Sequence, residues 1–519
     1  MAIESLNREQ QAAVEAPIGV VKVVAGPGSG KTRVVSARLR YLVEKLGVKA
    51  SDIVVLTFTN RAAKELKSRV PDYNCFVGTF HSYGLKQIKS RGKNYRIVRE
   101  DEQKSILDRQ LRVPKYRVDQ VLSYINEIKQ NYKEVPAELE GIYNGYNHYL
   151  RGRQALDFPD LILECIKLGL RDKHVIVDEF QDTNRLQFKM VADLVRGTNS
   201  LFVVGDPNQL IYSWRGAGYG FPSLDETYPN ARTYHLRTNY RSTQTIANVA
   251  AQIMEEEEPM VCLKPGGAKI QRLVESGEFS EARSVVDLIG RYQPDQVGVL
   301  YRTNNQNEEL VNILKAKHVP YQIYTRSNQM QERETRIVLA HLRALNTPSD
   351  VQILRVVASA KPKIDNRYIN EILKQKKKGQ TLLEHLTKSQ VKSAHTFGQN
   401  FQRLRQMSES FNTIHLLVNE IVEVTDIEWT SNLMDLCGVS TARNVSEFLD
   451  EVLLADGNTP LERGRVTLST YHQAKGLEFD VVFLIGLEVG MLPHNRAKAP
   501  VQVEAVSYTH LTLPTICSV

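Results

Sequence analysis

A run of small residues ending in Gly-Lys-Thr lies between an apolar segment and an amphipathic segment near the start of the chain. The run is Ala25, Gly26, Pro27, Gly28, Ser29, Gly30, Lys31 and Thr32, directly after Val20–Val24. Such a run lets backbone N–H groups surround phosphates, with the lysine reaching the β- and γ-phosphates and the threonine hydroxyl free to bind Mg²⁺. A glycine-rich turn without a ligand leaves Gly-Lys-Thr unexplained. The run therefore predicts a strand, a loop and a helix that bind a nucleoside triphosphate.

Composition narrows the class of protein. The chain has 519 residues, of which 42% are hydrophobic and 24% are charged, as in a soluble globular protein of roughly 3 to 4 domains. Its net charge of +8 favours a polyanionic partner, with a solvated basic surface as the alternative. The five separated cysteines include no C-x-x-C pair, which indicates neither a zinc site nor a disulfide framework. The polar start and short apolar runs suggest no secretion signal or membrane anchor, so we expect a cytoplasmic protein.

Short apolar runs alternate with helical periodicity, which predicts an α/β fold with parallel sheets. The strand candidates are Val20–Val24, Ile53–Thr57, Cys75–Val77, Val175–Val177, Leu201–Val204, Val297–Tyr301, Val466–Ser469 and Val481–Ile485. Between them, residues 85–172 show helical patterns alone and predict an insertion into one sheet. Residues 346–460 predict a second insertion, in which the candidate helix caps are Ser349, Asp365 and Asn444.

Two adjacent carboxylates, Asp178 and Glu179, follow the strand candidate Val175–Val177. In an open parallel sheet, ligands bind beyond the carboxyl ends of the strands, where the phosphate loop also lies. We assign Asp178 to Mg²⁺ and Glu179 to the general base that deprotonates the attacking water. An acid-rich turn without chemistry is the alternative for an isolated Asp-Glu pair.

Longer strings of residues closely resemble the superfamily 1 DNA helicases of the UvrD/Rep/PcrA type. They are the phosphate loop, VDEFQDTN at 177–184, VGDPNQLIYSWRGA at 204–217, and shorter strings at 6–10, 56–60, 78–81, 239–243, 301–302 and 470–479. The resemblance runs from residue 6 to about residue 493. It implies two RecA-like P-loop NTPase domains with parallel sheets, formed by 1–84 with 173–237 and by 238–345 with 461–519. Each is interrupted by a helical insertion, at 85–172 and 346–460.

The resemblance also implies roles around ATP. The matching nucleotide contacts are Gln10 at the adenine edge, Arg33 and Tyr240 stacked on the base, and Glu478 near the sugar. Arg241 would present its cationic guanidinium to the γ-phosphate, as Lys31 does from the loop. Gln209 would sense the γ-phosphate and link it to the DNA side.

A second group of residues matches the family's DNA contacts. The candidate platform for stacking single-stranded bases is Phe58, Tyr212 and Trp214, with Arg215 beside it. A core position is the alternative for Phe58. The candidate contacts to the sugar-phosphate backbone are Asn60, Thr79, His81 and His472. A structural role is the alternative for the two histidines.

The sequence therefore predicts a helicase or translocase that uses ATP and Mg²⁺ on single-stranded DNA and its junctions with duplex, moving 3′ to 5′ by resemblance. One alternative is a translocase that strips proteins from DNA or acts as the motor subunit of a repair or anti-phage complex. The other is a nucleotide-gated DNA-binding protein with little turnover. Residues 506–519 do not resemble the helix on which the family carries a further arginine. We expect a truncated or altered end, with slow ATP hydrolysis by the chain as written.

Overall fold

In the computed structural model, the described residues are 6–70, 73–93, 95–210, 218–253, 259–264, 266–324, 332–357, 359, 361, 363–375, 380–410, 414–438, 440, 442, 444–454, 461–488, 491 and 517–518. They fall into two compact units. The first unit is Met1–Tyr324 with Leu461–Val519, and the second is Thr325–Pro460. No helix within these ranges is long and apolar enough to span a membrane.

The first sheet of the first unit has six parallel strands. They are β1 (Val20–Ala25), β2 (Ile53–Thr57), β3 (Phe76–Thr79), β6 (His174–Val177), β7 (Leu201–Gly205) and β8 (Arg232–Leu236), in the order β3-β2-β6-β7-β1-β8. Strands β2 and β7 are buried at every position, as expected for a parallel sheet covered on both faces. Because β2 pairs with β6, the segments on either side of the first insertion belong to one sheet, as predicted.

Helices cover both faces of this sheet because alternate strand residues point to opposite sides. One face packs against α1 (Arg8–Val14), α2 (Lys31–Arg40) and α3 (Asn60–Arg69). The other packs against α4 (Phe80–Lys89), α8 (Phe158–Lys167), α9 (Arg185–Leu194) and α10 (Gly220–Thr227). A π-helical turn, Tyr41–Lys45, extends α2 towards the left-handed Gly47.

The first insertion has its own apolar core, which runs from Val98 to Ala155. Its helices are α5 (Glu100–Ser105), α6 (Val118–Asn131) and α7 (Ala137–Arg151). The expectation of helices alone at 85–172 is wrong, because β4 (Arg96–Ile97) pairs with β5 (Ala155–Leu156). The boundaries also differ: α4 and α8 bury Tyr83 and Ile162 in the core of the first sheet.

The second sheet of the first unit is also parallel. Its strands are β11 (Val297–Tyr301), β12 (Tyr321–Tyr324), β13 (Val466–Thr470), β14 (Val481–Leu484) and β15 (Cys517–Ser518), in the order β12-β13-β11-β14-β15. Helices α12 (Glu278–Ile289) and α13 (Glu308–Ala316) cover one face. A separate parallel pair, β9 (Thr238–Thr243) and β10 (Val261–Lys264), carries α11 (Gln244–Ile253). The two parallel sheets confirm the predicted fold class.

The second unit is helical in its described part and has one apolar core. Its helices are α14 (Arg333–Asn346), α15 (Asp350–Val357), α16 (Asn366–Gln375), α17 (Leu382–Thr387), α18 (Lys392–Ser410), α19 (Ile414–Thr425), α20 (Ser431–Gly438) and α21 (Val445–Leu454). The three predicted caps, Ser349, Asp365 and Asn444, each accept a backbone N–H two or three residues ahead. The predicted boundary at 346 is too late, since Val338 and Leu342 of α14 belong to this core.

Candidate active site

The phosphate loop follows the carboxyl end of β1 and leads into α2. Gly28 and Gly30 have left-handed backbones, with φ of 67° and 84°, which glycine adopts without steric cost. The Ser29 hydroxyl donates to the Gly26 carbonyl at 2.7 Å and closes the loop. Lys31 and Thr32 form the first turn of α2 beside Arg33, and the Lys31 Nζ lies 3.5 Å from the Ala25 carbonyl oxygen. The loop is therefore preformed, with its helix N-terminus available to an anion.

Strand β9 lies directly against this loop. The N–H of Tyr240 donates to the Gly28 carbonyl at 2.9 Å. A Cβ added at Gly28 would lie 2.6 Å from both Asn239 Oδ1 and Arg241 Cβ. Asn239 Oδ1 accepts the N–H groups of Arg241 and Ser242 at 2.7 and 2.9 Å, so it fixes the start of this segment. The predicted γ-phosphate arginine is thus held beside the predicted phosphate loop.

Gln10 connects helix α1 to the phosphate loop. Its Nε2 donates to the Ser29 carbonyl at 2.9 Å, and its Oε1 accepts the Asn7 N–H at 3.2 Å. The Asn7 side-chain amide donates to the Tyr240 hydroxyl at 2.8 Å. The predicted adenine reader and the predicted stacking tyrosine therefore belong to one hydrogen-bonded group around the loop.

Arg241 is paired with the other predicted nucleotide contact, Glu478. The Arg241 guanidinium lies 2.5 Å from Glu478 Oε1, and both side chains are partly exposed. An exposed ion pair stabilises a protein by at most about 1 kcal/mol. The guanidinium can therefore exchange this partner for a phosphate at small cost.

Four carboxylates lie beyond the ends of β6 and β7: Asp178, Asp182 and Asp206 are buried, and Glu179 is half-buried. Burial raises the pKa of Asp178 to about 7, with the neighbouring Glu179 adding to the shift. Burial also raises the pKa of Asp182 and of Asp206 to about 6 each. Burial alone would raise the pKa of Glu179 as well, but Lys31 and Lys475 outweigh it and the net pKa falls below its usual value. Glu179 is therefore ionised at neutral pH, as a general base must be.

The backbone at Glu179 is left-handed, with φ of 53°. A residue other than glycine in this region costs about 1–3 kcal/mol and persists only where its surroundings fix it. Glu179 immediately precedes the 3₁₀ turn Phe180–Asp182, and its N–H donates to Asp178 Oδ1 at 2.9 Å. The left-handed residue therefore begins the turn that takes the chain away from the direction of β6.

Lys475, which follows β13 of the second sheet, reaches into this cluster. Its Nζ lies 2.6 Å from Asp182 Oδ2 and 3.3 Å from the Gln209 carbonyl oxygen. The Gln209 side chain is buried and donates to Asp206 Oδ2 at 2.8 Å. The predicted γ-phosphate sensor is thus joined both to the acidic cluster and to the second sheet.

The donors fit a Mg²⁺ ion that arrives with ATP. Mg²⁺ at nucleotide sites takes one or two protein oxygens and completes its coordination with phosphate oxygens and water. Burial and Glu179 raise the pKa of Asp178 although Lys31 lowers it, so a cation bound beside this carboxylate would favour its ionised form. Thr32 supplies a hydroxyl in the first turn of α2. Across the described ranges, no three His, Cys, Asp or Glu side chains form a metal-binding group.

Four of the predicted DNA contacts, Phe58, Asn60, Thr79 and His81, lie at the ends of β2 and β3, where Thr57 is opposite Thr79. Phe58 is half-buried, and Asn60 begins α3 behind the cap residue Thr59. Thr79 is buried, and its hydroxyl caps α4 by accepting the Ser82 N–H at 3.2 Å. That cap is a structural role the sequence did not predict.

The two predicted DNA-contacting histidines differ in their surroundings. The His81 ring meets Phe158 edge-on with centroids 5.4 Å apart, and burial lowers its pKa to about 4. The ring is neutral at neutral pH, which favours the structural alternative. His472 is half-buried and follows Tyr471, whose N–H donates to the Tyr301 carbonyl at 2.9 Å.

Some predicted residues lie outside the described part of the chain. They are Tyr212, Trp214 and Arg215, together with most of the C-terminal end from 492 to 516. The described residues Cys517–Ser518 form β15 beside β14. The second sheet therefore has a strand after β14.

Sequence reasoning gave no role to four residues that organise the site: Gln181, Asp182, Lys475 and Asn239. All four lie in the strings that carry the family resemblance. Burial beside the reacting groups is the feature that marks these polar residues, but burial depends on the fold and is not visible in the sequence. Residues that contact each other in the site, such as Asp182 and Lys475, are also 293 residues apart in sequence.

Comparison with known proteins agrees with this geometry. The model of the UvrD/REP helicase N-terminal domain matches residues 6–226, and that of the UvrD-like helicase C-terminal domain matches 234–437 and 408–505. The chain belongs to the UvrD/REP helicase family. The ATP-dependent DNA helicase PcrA of Staphylococcus aureus (strain Mu50 / ATCC 700699) is 30% identical over 95% of this chain and 79% of the relative. PcrA of Staphylococcus epidermidis (strain ATCC 12228 / FDA PCI 1200) is 29% identical with the same shares.

Membership places the phosphate loop and the acidic cluster of this UvrD/REP-type chain in an ATP-hydrolysing helicase. The matched ranges include the strands of both parallel sheets of the first unit except β15 and the start of β8. The family resemblance predicted from the motifs is confirmed.

Proposed function

We propose that this chain is an ATP-dependent DNA helicase that moves 3′ to 5′ along single-stranded DNA and separates strands at junctions with duplex, in the cytoplasm. One observation supports this proposal most directly. Residues from β9 and from the segment after β13 lie in the site at the ends of β1, β6 and β7. Tyr240 bonds to the phosphate loop and Lys475 to Asp182. ATP bound there would contact both the part of the first unit that carries the first sheet and the part that carries the second sheet. Its hydrolysis can therefore change the contacts between these two parts.

The chemistry is attack of water on the γ-phosphate. Glu179 accepts a proton from that water, while Lys31 and Arg241 stabilise the charge that develops on the phosphoryl oxygens. Mg²⁺, held by Thr32 and Asp178, would neutralise phosphate charge. Gln10, Arg33, Tyr240 and Glu478 are proposed to hold the nucleoside.

The DNA side of the proposal uses Phe58, Asn60, Thr79, His81 and His472 with Tyr212, Trp214 and Arg215. Strand β2 pairs directly with β6, and Asp178 and Glu179 follow the end of β6. A change at the carboxylates can therefore reach the DNA contacts across one strand pair. Possible protein partners belong to repair or defence complexes.

Phosphate release from ATP, measured with and without oligo(dT), tests the proposal. We expect slow turnover that DNA stimulates, loss of turnover in Lys31→Ala and Glu179→Gln, and no change in the surface control Glu127→Gln. Glu179→Gln should retain ATP, whereas Lys31→Ala should lose affinity because it removes a phosphate contact. Near-normal turnover in Glu179→Gln would show that another residue is the base.

Tailed and blocked substrates separate the alternatives. Unwinding of a duplex with a 3′ single-stranded tail but not a 5′ tail supports the proposed direction, and the reverse preference contradicts it. Displacement of a streptavidin block without unwinding would indicate the protein-stripping translocase. ATP-dependent DNA binding without measurable hydrolysis would indicate the nucleotide-gated binding protein.

DNA affinity should depend on salt and little on base sequence. Single-stranded DNA releases counterions with a log-log slope near 0.7 per neutralised phosphate, whereas base stacking is independent of salt. Trp214→Ala should therefore weaken binding while leaving the slope almost unchanged. An unchanged affinity in Trp214→Ala would exclude Trp214 from the stacking platform, which other residues would then have to form.

A further inference from the structure

The Gln181 side chain lies behind the proposed base and uses both ends of its amide. Its Nε2 donates to Glu179 Oε2 at 2.6 Å, and its Oε1 accepts the Asp206 N–H at 3.0 Å. Gln181 is 2% exposed. A carboxylate only accepts hydrogen bonds and a backbone N–H only donates, so the two partners fix the orientation of the amide.

The surroundings leave little freedom for this bridge. A Cβ added at Gly205 would lie 2.4 Å from Gln181 Oε1 and 3.0 Å from the Phe180 nitrogen. The amide is therefore packed directly against the end of β7. At its other end stands Glu179, whose left-handed backbone requires support from its neighbours.

The bridge continues to the proposed γ-phosphate sensor. Asp206 accepts from Gln209 Nε2 at 2.8 Å and from the Asn208 N–H at 3.0 Å, which fixes the turn Pro207–Gln209. Glu179, Gln181, Asp206 and Gln209 thus form one chain of hydrogen bonds. A movement of this turn is transmitted to the carboxylate of the base.

We propose that Gln181 is a positioning residue for ATP hydrolysis, which holds one oxygen of Glu179 and leaves the other for the attacking water. It also ties the orientation of that carboxylate to the turn that carries Gln209. This inference rests on the proposed function and adds to it the element that couples base and sensor. A base displaced by about 1 Å can cost on the order of 10²-fold in rate.

Two variants and a matched control test the inference. Gln181→Met keeps the volume and removes both hydrogen bonds. Gln181→Glu keeps an acceptor for the Asp206 N–H but places a carboxylate against Glu179. The control is Gln187→Met, because Gln187 is a comparably buried glutamine whose Oε1 accepts the Asn184 N–H at 3.1 Å, at the start of α9.

The readouts are kcat and KM for ATP with saturating oligo(dT), and the affinities for ATPγS and for ADP with aluminium fluoride, a mimic of the transferring phosphoryl group. In both Gln181 variants we expect kcat to fall at least about tenfold, with KM and ATPγS affinity within about threefold of wild type. The preference for ADP with aluminium fluoride over ADP should shrink by a similar factor. Gln187→Met should leave all four quantities within about twofold.

Each other outcome overturns the inference. A kcat within about threefold of wild type in Gln181→Glu shows that donation to Glu179 is unnecessary, whether or not Gln181→Met folds. An equal loss in Gln187→Met shows a general effect of core disruption. Either result leaves the proposed function standing if wild type hydrolyses ATP with DNA stimulation. A wild type with no turnover and no preference for ADP with aluminium fluoride contradicts the proposed function, and the inference falls with it.

Discussion

Two groups of buried charges in the first unit are built differently. The insertion cluster consists of Lys129, Tyr146, Asp157 and Asp160, and the ATP-site cluster consists of Asp178, Glu179, Asp182, Asp206 and Lys475. In the insertion cluster, Lys129 Nζ lies 2.6 Å from Asp157 and 2.9 Å from Asp160. Asp157 also accepts the Tyr146 hydroxyl at 3.2 Å and the Asp160 N–H at 3.0 Å. The cluster is built into the N-terminal cap of α8.

The ATP-site cluster leaves its charges incompletely satisfied. Asp182 Oδ1 is buried and has no hydrogen-bond partner among the described residues. Glu179 has a strained backbone, and Asp178 has a pKa raised to about 7 by burial and by Glu179. Buried polar groups in folded proteins are normally paired, and exceptions concentrate at functional sites. From this difference we expect that the insertion cluster stabilises the insertion. We expect the ATP-site cluster to gain its missing partners when substrate binds.

The largest effect that separates the clusters is expected from Glu179→Gln. Loss of the base should lower kcat by about 10²–10⁴-fold, while stability changes little because the glutamine keeps the shape of the side chain. Single-turnover hydrolysis and thermal unfolding of the same sample measure both quantities. A large loss of stability with modest loss of turnover would make the ATP-site cluster a structural one.

Lys129→Met should show the opposite behaviour. It leaves two buried carboxylates without their cation, which typically costs about 3–5 kcal/mol, and it touches no part of the ATP site. Amide hydrogen exchange over α6 and α8 measures the free energy of local opening. The control is Lys133→Met, since Lys133 pairs with Glu127 at the exposed surface, where the cost is at most about 1 kcal/mol. Equal protection in both variants would contradict the structural role of Lys129.

The sequence predicted the adjacent residues of the ATP site, but it did not predict the contacts that the fold assembles in either cluster. Gly30-Lys31-Thr32 and Asp178-Glu179 could be recognised because their chemistry is encoded in a few adjacent residues. Lys129 and Asp157 are 28 residues apart, and nothing in the helical periodicity of α6 marks a buried lysine. The β9–β10 pair was missed for a similar reason, because β10 is largely exposed and lacks the apolar run of a buried strand.

A lysine-to-methionine substitution in the ATP-site cluster, Lys475→Met, corresponds to Lys129→Met in the insertion cluster. It should reduce activity more than it reduces stability. Burial raises the pKa of Asp182 to about 6 although Lys475 opposes the shift, so Asp182 can take up a proton when its partner is lost. We expect about a tenfold loss of DNA-stimulated kcat, with local opening of the surrounding helices changed by less than about 1 kcal/mol. Unchanged DNA stimulation would mean that the contact with Asp182 does not link the two sheets during turnover.

A pH-dependent effect is expected from Asp160→Asn. Burial of the carboxyl and, after it, the neighbouring Asp157 raise the pKa of Asp160 to about 6, above the unfolded value of about 3.9. The folded protein therefore binds this proton more tightly, and its contribution to stability is lost as pH rises from about 4 to about 6. The variant should lack this decline, a difference of about 2 kcal/mol visible in thermal unfolding at the two pH values. Parallel pH dependence in wild type and variant would show that Asp160 does not titrate in this window.

The most direct test of the central claim, that the ATP-site cluster is completed by ATP and coupled to DNA, is single-turnover hydrolysis of γ-labelled ATP with and without oligo(dT). We predict a faster rate with DNA in wild type and in Gln187→Met, and no DNA-dependent rate in Glu179→Gln. A wild-type rate that is the same with and without DNA, or that survives in Glu179→Gln, would contradict the account.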